Sequence, residues 1–490
     1  MTMLSKITDF IWNPWLLSMF LLTGLYFSVR TGFFHLFRIR FWWKCTVGSL
    51  LNRNQKRSNR GITQFQALST ALAATIGTGS IAGVATAIFY GGPGAIFWMW
   101  VSAFLGMMTG CAEKTLAVRF RVRTGEGWQG GPMFYMEQGL GSRSLAIIFS
   151  FFCLLETLIG GNLIQANSIA TSLEASFGIN RFPVGVAIAL LTGLVVVGGI
   201  KRIGKVSEKL VPCMAILFLL GGLFVVLFHF RALPDTIRCI FKEALTPKAA
   251  CGGYGASAAL RYGVARGVFT NEAGLGTSAM AHAAADVDEP AQQGMWGIFE
   301  VFFATLVICT VTALVILTSG VYDPSYALSA ISRGSVTDAM LGAPLSAAAF
   351  STVFGRYGGI FVSVCLILFA FTSLLGASYY GEQCITYLTG SQNLIPFYRA
   401  FFLCAVIFGS IGNISAMWLL VDLSNGLMAL PNLIALLLLS TEAVKQINHY
   451  SFIPSNKKRR NSAIFLFKLP KKKKTIAHLR NSVYTKRANS

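Results

Sequence analysis

Thr75-Ile76-Gly77-Thr78-Gly79-Ser80-Ile81-Ala82-Gly83 lies in the middle of an apolar run at 64–90, and Gly267-Val268-Phe269-Thr270-Asn271-Glu272-Ala273-Gly274-Leu275-Gly276-Thr277-Ser278 lies inside another at 254–281. Each places glycine, hydroxyl and amide residues where an apolar helix would otherwise continue. Glycine disfavours a helix by about 1 kcal/mol relative to alanine. A backbone opened in lipid must find new partners for its N–H and C=O groups, so it persists only where protein packs on it or where it lines a wet cavity. Close helix packing accounts for the glycines alone, because Gly79/Gly83 and Gly263/Gly267 are small-xxx-small pairs. It does not account for Asn271 and Glu272, since an ionisable group at mid-membrane is functional by default.

The rest of the chain agrees with a membrane setting. Of 490 residues, 54% are hydrophobic and 12% charged, and the mean hydropathy is +0.61; soluble domains carry roughly 25% charge. An ordinary cytoplasmic enzyme, a secreted disulfide scaffold and a disordered chain are excluded. Apolar segments fall at about 10–29, 64–90, 93–118, 145–177, 182–199, 210–230, 254–281, 292–320, 358–389, 395–410 and 413–439. The run after Lys6 reaches Val29 without a small-residue cleavage site and reads as a retained span. The interrupted spans are the second and the seventh, the spacing of a five-plus-five inverted repeat whose halves each break their first helix at one shared site. The expected fold is therefore an all-α polytopic membrane protein with eleven transmembrane helices. Residues 1–30 hold an extra N-terminal helix, 31–63 a basic loop, and 64–440 a ten-helix core (repeats 64–230 and 254–440). Residues 441–490 form a basic tail.

The formal charge of +22 would suggest nucleic acid in a soluble protein. Here the basic residues gather in loops. With the N-terminus outside, 30 Lys+Arg lie in the inside regions and 8 in the outside ones, so the positive-inside rule puts the C-terminus in the cytoplasm. Lys457 to Arg460 and Lys471 to Lys474 suit an anionic lipid surface. The ten cysteines form no CxxC pair; Cys239 and Cys251 share a loop and can pair if it faces an oxidising compartment.

Soluble-enzyme motifs fail on inspection. Gly77-x-Gly79-x-x-Ala82 mimics a dinucleotide fingerprint, but no Asp or Glu occurs between Gly83 and Ala112. Gly199-x-x-x-x-Gly204-Lys205 lacks the Mg²⁺-binding hydroxyl, since Val206 stands there. The histidines His35, His229, His282, His449 and His478 are scattered, which argues against a metal centre. Glu113, Glu156, Glu300 and Asp422 either line a cavity or pair inside the bundle. No Lys lies between Pro212 and Phe228 to stand in for a coupling cation.

A broken helix has a definite chemistry. Half-helix N-termini present unpaired N–H groups to a carboxylate, and released carbonyls face a cation. Hard cations take several oxygens and no sulfur, so the hydroxyls of Thr372 and Ser373 are candidates to complete such a shell.

ALAATIGTGSIAGVATAIFYGGPGAIFWMW (Ala71 to Trp100), GGPMFYM (Gly130 to Met136), QANSIA (Gln165 to Ala170), RGVFTNEAGLGTSAMAHAAA (Arg266 to Ala285) and SYYGEQC (Ser378 to Cys384) resemble the signatures of the alanine or glycine:cation symporter family. The resemblance spans about residues 10–445. It implies the leucine-transporter fold with one extra helix, and sodium-coupled uptake of small neutral amino acids across the bacterial inner membrane. It implies Na⁺ as coupling ion, no organic cofactor and no covalent chemistry; oligomeric state stays open. Gly77, Thr78, Gly79 and Ser80 match the unwound helix that receives the substrate carboxylate. Asn162 and Gln165 match the amide-bearing third core helix, and Phe269, Thr270, Asn271, Glu272, Ala273 and Gly274 match the second break. Thr75, Gly79, Thr372 and Ser373 are the expected sodium ligands.

Two positions depart from the pattern. Ser80 stands where the family commonly has Asn, and Ala377 where a Trp commonly closes the pocket. The second change suggests a site open to serine or glutamine as well as alanine, D-alanine or glycine. A proton-coupled or facilitated permease of the same fold is the alternative; a membrane enzyme or channel would need convergent ligands or a repeated pore segment, and neither is visible.

Overall fold

The computed structural model describes residues 3–50, 61–124, 127–245, 255–333, 336, 342–412 and 417–452. Among the described residues, helices make up most of each apolar segment. Gly94–Arg119, Arg143–Phe177, Gly199–Phe228, Pro290–Thr318, Tyr357–Thr389 and Met417–Leu438 are long and apolar enough to cross a membrane, while Ala82–Gly91, Arg181–Val196, Ala343–Phe354 and Ile395–Ile411 are shorter and apolar. Their outward faces carry residues that suit lipid and not water, among them Leu190, Leu194, Leu220, Phe224 and Phe228.

The run at 64–90 is two helices, Gln64–Thr75 and Ala82–Gly91, joined by the 3₁₀ turn Thr78–Ser80. Thr63 opens the first with a reciprocal cap: its hydroxyl accepts from the Gln66 amide and the Gln66 side chain accepts from the Thr63 amide. The run at 254–281 is Ala256–Asn271 and Ser278–Ala283. One end of the two broken helices is stitched together, since Ile62 pairs with Ala285 in a short parallel bridge.

Glycine packing differs between the two. A Cβ on Gly263 would meet Ala95 O at 2.3 Å, and one on Gly267 would meet Ser102 Oγ at 2.3 Å, so these seat the second broken helix on Gly94–Arg119. Gly83 faces nothing within 4 Å, whereas a Cβ on Gly79 would meet the Phe269 ring at 2.9 Å. Close helix packing thus accounts for both members of the second pair, but for Gly79 alone in the first.

Several expected loops carry structure. Residues 200–209, which fall between two of the apolar segments, are the first turns of Gly199–Phe228; their polar residues fit a helix leaving an apolar layer. The loop at 231–253 contains the amphipathic helix Leu233–Leu245, with Asp235 in its first turn and Lys242 in its last. It rests on Gly94–Arg119, where Trp98 Nε1 donates to Ala244 O at 3.3 Å. A small antiparallel hairpin, Val122–Thr124 with Gly127–Gln129, precedes Pro132–Gln138. The N-terminal helix Pro14–Arg30 packs Gly24 against Leu105. Cys239 donates toward Glu243 at 3.6 Å; Cys251, the lysine clusters of the tail and residues 51–60 lie outside the described residues.

Candidate functional site

The first break starts where Gln64–Thr75 ends. Ile76 donates to Leu72 O, Gly77 is extended, and Ser80 and Ile81 donate to Gly77 O and Thr78 O. The N–H groups of Gly77, Thr78 and Gly79 have no backbone acceptor among the described residues. From the neighbouring helix Tyr357–Thr389, Ser373 Oγ sits 3.1 Å from Ala73 O and 3.2 Å from Ala74 O. A Cβ on Gly77 would lie 2.5 Å from that hydroxyl, so glycine is what lets Tyr357–Thr389 approach.

The second break is more constrained. Glu272 adopts a left-handed backbone (φ 54°), and Gly274 and Gly276 follow at φ 96° and 85°. Non-glycine residues pay about 1–2 kcal/mol for that conformation, and local bonds offset it. Asn271 Oδ1 accepts from the Ala273 amide at 3.0 Å, Leu275 donates to Glu272 O, and Thr277 Oγ1 donates to the Glu272 carboxylate. Glu113 Oε1 accepts from the Gly274 amide at 3.0 Å and from Asn432 Nδ2 at 2.7 Å. Asn432 also donates to Gly274 O at 2.9 Å and accepts from Tyr135 OH.

Behind the breaks lies a fully buried charged cluster. Lys114 Nζ is 3.5 Å from both Glu113 and Glu300. Glu300 accepts from His282 Nε2 at 2.9 Å, and Gln293 Nε2 donates to His282 Nδ1 at 2.7 Å, which places the imidazole proton on Nε2. Thr75 Oγ1 is 3.3 Å from the other Glu300 oxygen and 2.9 Å from Ala71 O. The cluster therefore touches the first broken helix through Thr75 and the second through Gly274 and His282.

A cavity of about 50 Å³ lies between the breaks. One water occupies roughly 10–15 Å³ on such a measure, so the space suits a few waters or one small solute. Its walls come from the first break (Gly77, Gly79), the second (Phe269, Glu272, Leu275, Thr277), the helix around Gly160 and Gly161, and Ser373 with Ala377. Gln165 Oε1, Tyr380 OH and Asn425 Nδ2 are buried on this lining without a hydrogen-bond partner among the described residues. Polar atoms stranded in such a cavity are costly unless something else satisfies them. No group of three or more His, Cys, Asp or Glu suited to a metal centre occurs among the described residues.

The model of the sodium:alanine symporter family matches residues 1–464. The chain belongs to this family. It is 39% identical to the sodium/alanine symporter AgcS of Methanococcus maripaludis over 93% of the chain and 98% of that protein. It is 37% identical to the probable sodium/glutamine symporter GlnT of Bacillus subtilis over 90% and 89%. Its fold is similar to MhsT in complex with L-phenylalanine, with a TM-score of 0.56 and 12% identity over 80% of the chain and 93% of that structure. The chain is thus a polytopic amino-acid:cation symporter of leucine-transporter-like fold and not an enzyme.

In this symporter, the cavity gathers Thr75, Gly77, Gly79, Gln165, Phe269, Glu272, Ser373 and Ala377 from the residues singled out in the sequence. Thr78 and Ser80 are buried beside it, and Thr78 Oγ1 has no partner among the described residues. Asn162 turns away: its Nδ2 donates to Phe402 O at 2.8 Å. Thr270 Oγ1 donates to Arg266 O, and Asn271, Ala273 and Gly274 shape the break and do not line the cavity. Thr372 Oγ1 donates to Phe369 O at 2.9 Å and lies 3.5 Å from Met214 Sδ, a sulfur that a hard cation would avoid. Ala377 abuts the neighbouring helix, since a Cβ on Gly161 would come within 2.4 Å of its own.

Sequence reasoning missed three features. The run Ile159–Ile164 is π-helical, a widening common at functional sites, and its signal was the Gly160-Gly161 pair. The ion cluster was present only as separate charges, with Lys114 unexamined. Arg121 was counted merely as loop charge, yet it donates to Ala283 O, Ala285 O and Val287 O at 3.0, 2.5 and 2.5 Å and stacks 4.1 Å over Trp128. Burial lowers its guanidinium to about 10, against the pull of Asp286 and Asp288.

Proposed function

We propose that this chain imports small neutral amino acids, alanine and glycine first, with D-alanine, serine or glutamine as further candidates, in symport with Na⁺ by alternating access. The observation that carries the reading is the cavity bounded by both helix breaks. Unpaired N–H groups at Gly77 to Gly79 suit the substrate carboxylate. Ser373 Oγ with the carbonyls of Ala73 and Ala74 makes an oxygen cluster fit for a hard cation, with Thr75, Gly79 and Thr372 as further candidate ligands. The names of AgcS and GlnT support alanine or glutamine as cargo. Substrate binding is assigned to Gly77, Thr78, Gly79, Ser80, Gln165, Phe269, Glu272 and Ala377, with Asn162, Thr270, Asn271, Ala273 and Gly274 holding their shape.

The topology proposed is eleven spans, a five-plus-five repeat over 64–230 and 254–440, the N-terminus outside and the basic tail in the cytoplasm of a bacterial plasma membrane. Alternating access then rocks the bundle containing the broken helices against the remaining core helices. Uptake of labelled L-alanine into proteoliposomes tests the coupling. A Na⁺ gradient alone should drive accumulation; accumulation under a pH gradient alone would favour the proton-coupled permease.

A further inference from the structure

We infer that Glu156 is the counter-ion for the amino group of the transported substrate, an inference that rests on the site proposed above. Two carboxylates line the cavity, Glu156 and Glu272. Glu272 is bonded to the Thr277 hydroxyl and held by the turn that follows it. The Glu156 carboxylate makes no hydrogen bond and no ion pair among the described residues; the backbone carbonyl accepts from the Ile159 amide. It stands on Arg143–Leu158, just ahead of the π-helical segment. Its carboxylate folds back over Gly160, where a Cβ would come within 2.8 Å of Oε1. The absent side chain at Gly160 is therefore what gives this carboxylate its place on the cavity wall.

An unpaired carboxylate at this depth in a membrane protein is expensive, and such groups pair with another charge or serve a pathway. No basic side chain lines the cavity among the described residues. The missing cation must then come with the solute. A zwitterion supplies one positive group, an ammonium with three donors. Facing the cavity beside the Glu156 carboxylate are two further acceptors, Gln165 Oε1 and the Tyr380 hydroxyl, both buried without a partner among the described residues. Gln165 is fixed in orientation because its Nε2 donates to Gly160 O at 3.2 Å, which leaves Oε1 for the ligand. Glu156, Gln165 and Tyr380 thus form an ammonium seat on walls distinct from the N–H groups of the first break. The ammonium end goes to Arg143–Phe177 and Tyr357–Thr389, and the carboxylate end to the first broken helix.

The test compares ligands that differ only at the amino position. Competition against labelled L-alanine is measured on purified protein in NaCl, with unlabelled L-alanine and with L-lactate, which carries a hydroxyl in place of the ammonium. Glu156→Gln should weaken L-alanine about 10- to 100-fold, the scale of a lost charge-assisted hydrogen bond, and leave L-lactate unchanged or tighter. Glu156→Asp should recover part of the loss, and Gly160→Ala should mimic it by displacing the carboxylate. Equal weakening of both ligands, or no change in either, overturns the inference. So does a Glu156→Gln protein that keeps its alanine affinity and loses only uptake driven by a pH gradient, which would make Glu156 a proton carrier. Failure of the unmodified protein to bind L-alanine would overturn the reading of the whole site instead.

Discussion

Glu113 accepts the backbone amide of Gly274 at 3.0 Å while its second oxygen lies 3.5 Å from Lys114. One buried carboxylate therefore satisfies an N–H left open by the second helix break and neutralises a lysine that has no access to water. Breaking such a buried pair from one side costs about 3–5 kcal/mol, because the partner charge is stranded. Glu113→Ala should lower the thermal midpoint of the purified protein markedly, and Glu113→Gln less. Unchanged melting of Glu113→Ala would show that Gly274 and Lys114 find other partners.

Gly274 itself should tolerate no side chain. Its φ of 96° is strained for an L-residue, and a Cβ would meet the Phe20 ring at 2.6 Å. The conformational part alone is about 1–2 kcal/mol. Gly274→Ala should reduce the yield of monodisperse protein on size-exclusion chromatography; adding Phe20→Ala should relieve the steric part and restore some of it.

For sodium, the two hydroxyls on Tyr357–Thr389 should differ. Ser373 Oγ shares its surroundings with two carbonyls of the first broken helix, whereas Thr372 Oγ1 is beside a methionine sulfur. Ser373→Ala should raise the Na⁺ concentration for half-maximal uptake by about tenfold or more, on the scale of one good ligand at 1.4 kcal/mol per decade. Thr372→Ala should raise it less. An effect confined to Thr372 would move the cation site away from Ala73 and Ala74.

Arg121 holds three carbonyls at and just beyond the end of the second broken helix. Lysine keeps the charge and loses the planar fork. Arg121→Lys should keep part of the uptake rate and Arg121→Ala very little, with both expressed at similar levels. Equal rates in the two would show that the clamp's geometry is irrelevant.

Both breaks were legible because glycine clusters in apolar runs are a local signal, as in TIGTGS (Thr75–Ser80) and NEAGLG (Asn271–Gly276). The capped start at Thr63 and the short helices in the loops are local as well, but the basic residues at 201–209 masked a helix beginning at Gly199. The Glu113–Lys114–Glu300–His282 cluster was not legible. Adjacent residues do not normally face each other on a helix, and the remaining partners come from Pro290–Val301 and Ser278–Ala283, far along the chain. Asn162 shows the opposite limit: an amide in the right motif, inside the π-helical segment, turns to Phe402 O, and the Gly160-Gly161 pair beside it signals a widening but not the side chain's direction.

The central claim is that one cavity between two interrupted helices takes an amino-acid zwitterion and Na⁺ together. Equilibrium binding of labelled L-alanine to the purified protein, titrated with NaCl against choline chloride at constant ionic strength, measures this without a membrane gradient. The account predicts saturable binding that rises with Na⁺ and is lost both in choline and in Gly77→Ala, whose Cβ would displace Ser373 Oγ. Alanine binding of equal strength in choline, or unaltered by Gly77→Ala, would contradict it.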